Sequence, residues 1–189
     1  MVKKHERPCP KVTIIGNTSW GNTLGSLLSD EGAKVTLWTR SEAEAKELNQ
    51  GRRSYSSSSH IREALSGADL AIWAVPSQKL RENISQAKNY LTNLMLLMSA
   101  AKGLEVNSGK RMSQVLAEEI APSLRGQICV LSGPNLAVEI AQGLPAASVI
   151  AENLVCYDLA NAFLQKFGGD SIEETKRNHD AYLKYTKQY

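Results

Sequence analysis

Residues 16–21 read Gly-Asn-Thr-Ser-Trp-Gly. They follow the apolar run of Val12, Ile14 and Ile15 and precede Leu24, Leu27 and Leu28 at helical spacing. Glycines at such a junction let the backbone turn tightly. The free N–H groups and positive dipole end of the helix that follows suit a phosphate. The pattern is that of the dinucleotide fingerprint G-x-G-x-x-G, with Gly16 and Gly21 in place and Thr18 at the middle glycine. Arg40 closes the next apolar segment, in Trp38-Thr39-Arg40-Ser41, where a carboxylate would select an unphosphorylated ribose. A guanidinium there pairs instead with a 2′-phosphate, and the Thr39 and Ser41 hydroxyls offer further donors. The residues therefore favour NADPH while admitting NADH. Three further groups could contribute: Pro76-Ser77, Lys102-Gly103 and Ser132-Gly133-Pro134, each after an apolar run.

The elements that must position these groups alternate. Lys11 to Arg40 reads as strand, turn, helix capped by Ser19, strand. Ser41 to Gln50 is a predicted helix capped by Ser41, and Gly51 to Ser59 (GRRSYSSSS) a predicted loop. A short helix follows at Ile61 to Leu65, then a buried strand at Asp69 to Val75. Ser77 caps a helix with Leu80, Ile84 and Ala87 inward. Leu94 to Ser99 is a strand, and Gly109 to Ile120 a helix with Met112, Val115, Leu116 and Ile120 on one face. Ile128 to Leu131 is a strand, followed by a helix reaching Gln142 and a strand at Ala147 to Ala151. Leu159, Phe163, Leu164 and Phe167 form a helical stripe. This alternation predicts an α/β fold of Rossmann type: a doubly wound, mostly parallel sheet with helices on both faces and ligands at the carboxyl ends of the strands. Residues 1–10 read as a loose leader, 11–167 as the NAD(P)-binding domain and 168–189 as a polar tail with Tyr182, Tyr185 and Tyr189 at helical spacing.

Composition narrows the function classes. The 189 residues are 42% hydrophobic and 22% charged, enough for one domain with a core. The net charge of +3 is supplied by Lys3, Lys4, Arg7 and Lys11 against Glu6, which leaves no basic surface for nucleic acid. No apolar run reaches the ~20 residues of a membrane span. Cys9, Cys129 and Cys156 lack metal-ligand spacing; Cys129 and Cys156 sit in apolar contexts and read as buried, reduced thiols, which fits a cytosolic protein. His5, His60 and His179 have no sequence partner and read as solvated.

Four segments together carry a resemblance. IIGNTSWGNTLG with LWTR, GADLAIWAVPSQKLRE, SAAKGLE and LSGPNLAVEIAQGLPAA resemble, in order, motifs of the bacterial NAD(P)-dependent glycerol-3-phosphate dehydrogenases. The resemblance covers residues 11–167 and implies hydride transfer between NAD(P)H and C2 of dihydroxyacetone phosphate, giving sn-glycerol 3-phosphate. It implies that Ser19, Trp20, Arg40, Pro76 and Ala137 touch the cofactor alongside Gly16, Thr18 and Gly21. Lys102 would serve both cofactor and substrate as the catalytic residue, and Gly133 and Asn135 would contact substrate. Asn135 stands where the family has serine, and the stretch from Asn49 to His60 is shorter than the family's loop. Thr18 would crowd the diphosphate with its Cβ and weaken cofactor binding.

The resemblance also implies that the proton-donating lysine and phosphate-binding arginine belong to a helical domain beyond these residues. The stretch alone is then expected to show no meaningful turnover, with a homo-oligomer or a separate chain as its partner. Two other readings stay open. One is a free-standing nucleotide-binding or assembly module without turnover. The other is a different two-domain dehydrogenase such as a ketopantoate reductase, against which the Ser-Gly-Pro segment argues.

Overall fold

A computed structural model describes residues 9–51, 53–133, 137–142, 149–150 and 177–178. The expected helix around Leu159 to Phe167, the tyrosine-bearing tail, Asn135, Cys156 and most of the leader lie outside them. The chain divides into two units, Met1–Ile150 and Ala151–Tyr189. All the elements below belong to the first.

The sheet follows the order β3-β2-β1-β4-β5-β6-β7. Its strands are β1 (Lys11–Ile15), β2 (Lys34–Trp38), β3 (Ser56–Ser58), β4 (Leu70–Trp73), β5 (Leu96–Ser99), β6 (Ile128–Ser132) and β7 (Val149–Ile150). The first six run parallel, and β7 adds antiparallel to β6. Among the described residues six α-helices lie between the strands: α1 (Ser19–Asp30), α2 (Glu42–Gln50), α3 (Ile61–Leu65), α4 (Leu80–Ala87), α5 (Met112–Glu119) and α6 (Ala137–Ala141). The mostly parallel doubly wound sheet expected from the alternating pattern is the observed fold.

Side-chain alternation along the strands splits the core into two layers. Val12, Ile14, Val35, Leu37, Ile72 and Met98 face Leu24 of α1, Leu48 of α2 and Tyr55. Ile15, Trp38, Trp73 and Leu97 face Leu65, Leu80, Ile84, Val115 and Leu116 of α3, α4 and α5. Strands buried on both faces explain why the sequence runs are continuously apolar rather than alternating.

Several expectations need correction. Thr18, not Ser19, caps α1. On α1 the buried positions are Gly21, Leu24 and Gly25, and Leu27 is 40% exposed. A Cβ on Gly25 would sit 3.0 Å from the Tyr55 ring, so the helix approaches through its glycine rather than through Leu27. Ser77 opens a 3₁₀ turn, Ser77–Lys79, without a side-chain cap, and α4 starts only at Leu80. The helix expected from Gly109 starts at Met112, because Gly109 sits at φ +66° and Leu104 bridges Arg111 as an antiparallel pair. The Gln114 side chain accepts the Arg111 N–H at 3.0 Å as the helix begins.

The predicted loop of Gly51 to Ser59 contains β3, paired in register with Thr36 to Trp38. Serine is a poor strand former, so composition hid it. The hydroxyls find local acceptors: Ser57 donates to the Ala45 carbonyl at 2.8 Å. The Asn49 side chain then accepts the Ser57 N–H at 2.8 Å and donates to the Ser57 carbonyl at 2.9 Å.

Burial separates two leucines that composition treats alike. Leu37 is fully buried, and Leu94 is 87% exposed. Leu37→Ala is expected to cost about 2–5 kcal/mol in urea unfolding. Leu94→Ala is expected to stay within about 0.5 kcal/mol of the parent.

Candidate functional site

The site is built where the sheet order reverses, between β1 and β4. β1 ends at Ile15, and Gly16 follows at φ +124°. A Cβ there would stand 2.7 Å from both the Ala74 carbonyl oxygen and the Val75 side chain. A Cβ on Gly21 would stand 2.3 Å from the Gly16 carbonyl oxygen. Both glycines are therefore required by contact, whatever the turn binds.

Thr18 has a structural task at the position where the fingerprint has glycine. Its hydroxyl accepts the Gly21 N–H at 3.0 Å and donates to the Ala74 carbonyl at 2.7 Å, tying the start of α1 to the end of β4. The expected crowding of a diphosphate thus meets an opposing fact: the hydroxyl is bound inward, and a glycine there would lose the cap.

A second brace comes from residues that the sequence reading did not single out. Asn22 donates to the Asn17 side chain at 2.9 Å and to the Thr18 carbonyl at 2.8 Å. Its own side-chain oxygen accepts from Arg53 at 2.8 Å and from the Tyr55 hydroxyl at 2.5 Å. Arg53 and Tyr55 were hidden in the stretch read as a loop. The buried aromatic among serines was the available signal.

Two cavities meet over this turn. One, about 240 Å³, lies beyond β2 and is lined by Gly16, Asn17, Thr18, Trp38, Arg40, Pro76 and Lys79 among others. The other, about 330 Å³, lies beyond β4 and β5, with Thr18, Trp20, Pro76, Ser77, Lys102 and Ala137 in its lining. Thr18, Val75 and Pro76 border both. Such a crevice at the carboxyl ends, across the reversal of strand order, is where doubly wound sheets take ligands.

Most of the predicted residues converge here. Gly21 is buried within α1 behind the turn. Ser19 lines a neighbouring cavity with Thr23, Ala137 and Val138 instead. Gly133 follows β6, and Asn135 is outside the described residues. Thr39 is buried and donates its hydroxyl to the Ser41 carbonyl at 2.9 Å, so that expected donor is spent internally. The Ser41 hydroxyl accepts the Glu44 N–H at 3.2 Å as the cap of α2.

The charges are arranged in two groups. Arg40 is exposed and its guanidinium lies 3.5 Å from the Glu82 carboxylate, which Lys79 also meets at 3.1 Å. Lys102 holds its ammonium 5.8 Å from the centre of the Trp20 ring, within cation–π range. The Trp20 indole N–H is buried without an acceptor among the described residues.

The segment after Lys102 is anchored from the 3₁₀ turn Ser77–Lys79 and from α4. Gln78 donates to the Leu104 carbonyl at 2.8 Å and accepts the Val106 N–H at 3.1 Å. Arg81 bonds Glu105 through two nitrogens at 2.9 Å each, with Glu118 at 2.9 Å and Glu119 at 2.6 Å completing its shell. Those bonds, with one from Ser108, hold the Glu105 carboxyl down at about 2. Among the described residues no three His, Cys, Asp or Glu side chains form a metal site. No described helix is long and apolar enough to cross a membrane.

The sequence can be set beside known proteins. Residues 11–155 match the family described as the N-terminus of NAD-dependent glycerol-3-phosphate dehydrogenase. A relative from Dehalococcoides mccartyi, glycerol-3-phosphate dehydrogenase [NAD(P)+], is 49% identical over 154 residues, covering 75% of this chain and 43% of its own. One of the same name from Syntrophomonas wolfei is 39% identical over 167 residues, covering 82% and 48%. The crystal structure of glycerol-3-phosphate dehydrogenase from Coxiella burnetii superposes with a TM-score of 0.66 at 26% identity, over 80% of this chain and 50% of that one. The chain thus spans about half the length of the relatives it matches.

Two outcomes follow from this geometry. Thr18→Ala removes the cap of α1 and is expected to lower stability by about 1 kcal/mol or more in urea unfolding. The Glu105 carboxyl sits below its unfolded value, so its contribution is complete above about pH 4.3 and fades as pH falls toward 2. Arg81→Met should therefore flatten the acid limb of stability between those values, read by unfolding at stepped pH.

Proposed function

This chain belongs to the NAD-dependent glycerol-3-phosphate dehydrogenase family, and from that membership we propose that it forms the cofactor-binding half of an enzyme reducing dihydroxyacetone phosphate to sn-glycerol 3-phosphate. The observation that carries the reading is the pair of cavities meeting at the Gly16 to Thr18 turn, with Arg40 in one and Lys102 in the other. The residues present fit a dinucleotide. The Gly16 turn borders the crevice, and Trp20 keeps a buried N–H in want of an acceptor.

A nicotinamide cofactor bound across the crevice supplies the hydride that reduces C2 of the substrate. The chain's own residues do the rest. The start of α1 and the turn before it take the diphosphate. Arg40 takes the ribose end, where a 2′-phosphate gains a charge-assisted bond and an unphosphorylated ribose is still admitted. NADPH is thus favoured over NADH. The Lys102 ammonium, held against the Trp20 ring, serves the nicotinamide end and the substrate. It stabilises the charge that grows on the carbonyl oxygen as C2 is reduced. Gly133 and Asn135 complete the substrate side. The free thiols Cys9 and Cys129 support a cytoplasmic setting for this chemistry.

Titrating the chain with NADPH and NADH, read by fluorescence of Trp20 and Trp38, tests the cofactor reading. Arg40→Asp is expected to weaken NADPH by roughly tenfold to a hundredfold, the worth of a charge-assisted hydrogen bond, and NADH far less. Equal weakening of both would remove Arg40 from recognition of the 2′-phosphate. Joining the chain to the C-terminal half of the Dehalococcoides mccartyi relative and following loss of reduced cofactor tests the substrate. The expected result is oxidation that depends on dihydroxyacetone phosphate.

A further inference from the structure

We propose that Glu82 narrows the cofactor preference of this site: its carboxylate occupies the two cations that a 2′-phosphate would use, and so reduces the advantage of NADPH over NADH. The proposal rests on the cofactor reading above and adds to it a residue outside the lining of the crevice.

Arg40 and Lys79 both line the cavity beyond β2. They come from different elements, Arg40 from the end of β2 and Lys79 from the turn before α4. Glu82 bridges them with separate oxygens, Oε1 at 3.5 Å from Arg40 and Oε2 at 3.1 Å from Lys79. The Lys79 hydrogen bond, and then the Arg40 charge, hold the Glu82 carboxyl below the usual carboxylate range, so it is ionised at neutral pH.

The three side chains are about half exposed. Ion pairs this open are weak and exchange readily with other partners. A phosphate monoester brings close to two negative charges and three acceptor oxygens, so it can displace Glu82 from both cations. The displaced carboxylate stays tethered on α4 and repels the dianion. A ribose 2′-hydroxyl meets no such penalty, because it is neutral and can donate to a carboxylate. Glu44, which also lines the cavity, acts in the same sense. The site therefore carries an internal competitor for the very group that distinguishes the two cofactors.

The test is Glu82→Gln, an isosteric change at an exposed position. NADPH and NADH are titrated against parent and variant, with 2′-AMP and 5′-AMP as fragment probes. NADPH and 2′-AMP are expected to tighten about three- to tenfold. That is the effect of one unit charge on a dianion at roughly 6 Å in water, with and without screening at moderate salt. NADH and 5′-AMP should change less than about twofold. In an Arg40→Met background the gain should shrink, since the two residues share one interaction. An unchanged ratio, or equal shifts for both cofactors, overturns the role of Glu82 while leaving the crevice as the cofactor site. Failure of the parent to bind either cofactor overturns both readings together.

Discussion

The structure depends on one close approach, the packing of the turn after β1 against the end of β4. Gly16 lies so near Ala74 and Val75, and Gly21 so near Gly16, that no side chain fits at either. This contact brings the start of α1 over the strand ends at the reversal of the sheet. It also divides the crevice into two cavities with Thr18 and Pro76 between them. Arg40 and Lys102, distant in sequence, line the two cavities that share Thr18, Val75 and Pro76.

Around that contact the polar braces form a second tier. Thr18, Asn22, Arg53 and Tyr55 secure the turn from one face of the sheet. Gln78 and Arg81 secure the segment after Lys102 from the other. Apart from the bond of Asn22 to the Thr18 carbonyl, these bonds reach across elements rather than along them. Hydrogen bonds and ion pairs of this kind add little net stability individually. Their larger effect is to leave the backbone around a ligand few alternative arrangements.

The sheet and most of its connections were legible in the sequence because buried parallel strands must be apolar on both faces. Val12 to Ile15, Ala71 to Val75 and Leu97 to Ser99 declare themselves in that way. The glycine pair was legible too, since its spacing encodes a steric need. What stayed hidden was decided by partners far along the chain. The brace from Thr18 to the end of β4 depends on Ala74, and the strand character of Ser56 to Ser58 depends on β2. The exposure of Leu27 depends on Tyr55 meeting α1 through Gly25. The braces Gln78 and Arg81 carried no local signal, because glutamine and arginine on a helix usually meet only solvent.

The serine strand has a consequence for the protein in a crowded solution. Among the described residues β3 ends the row on its side of the sheet, and an end strand is a template onto which a foreign chain can add. Here the outward N–H and carbonyl of Ser57 are both taken by the amide of Asn49, which supplies the pair of bonds a neighbouring strand would have made. With only three residues and no large apolar side chain, β3 offers an intruder little else to hold. One asparagine from the preceding helix thus stands in for the missing strand and closes that border of the sheet to aggregation.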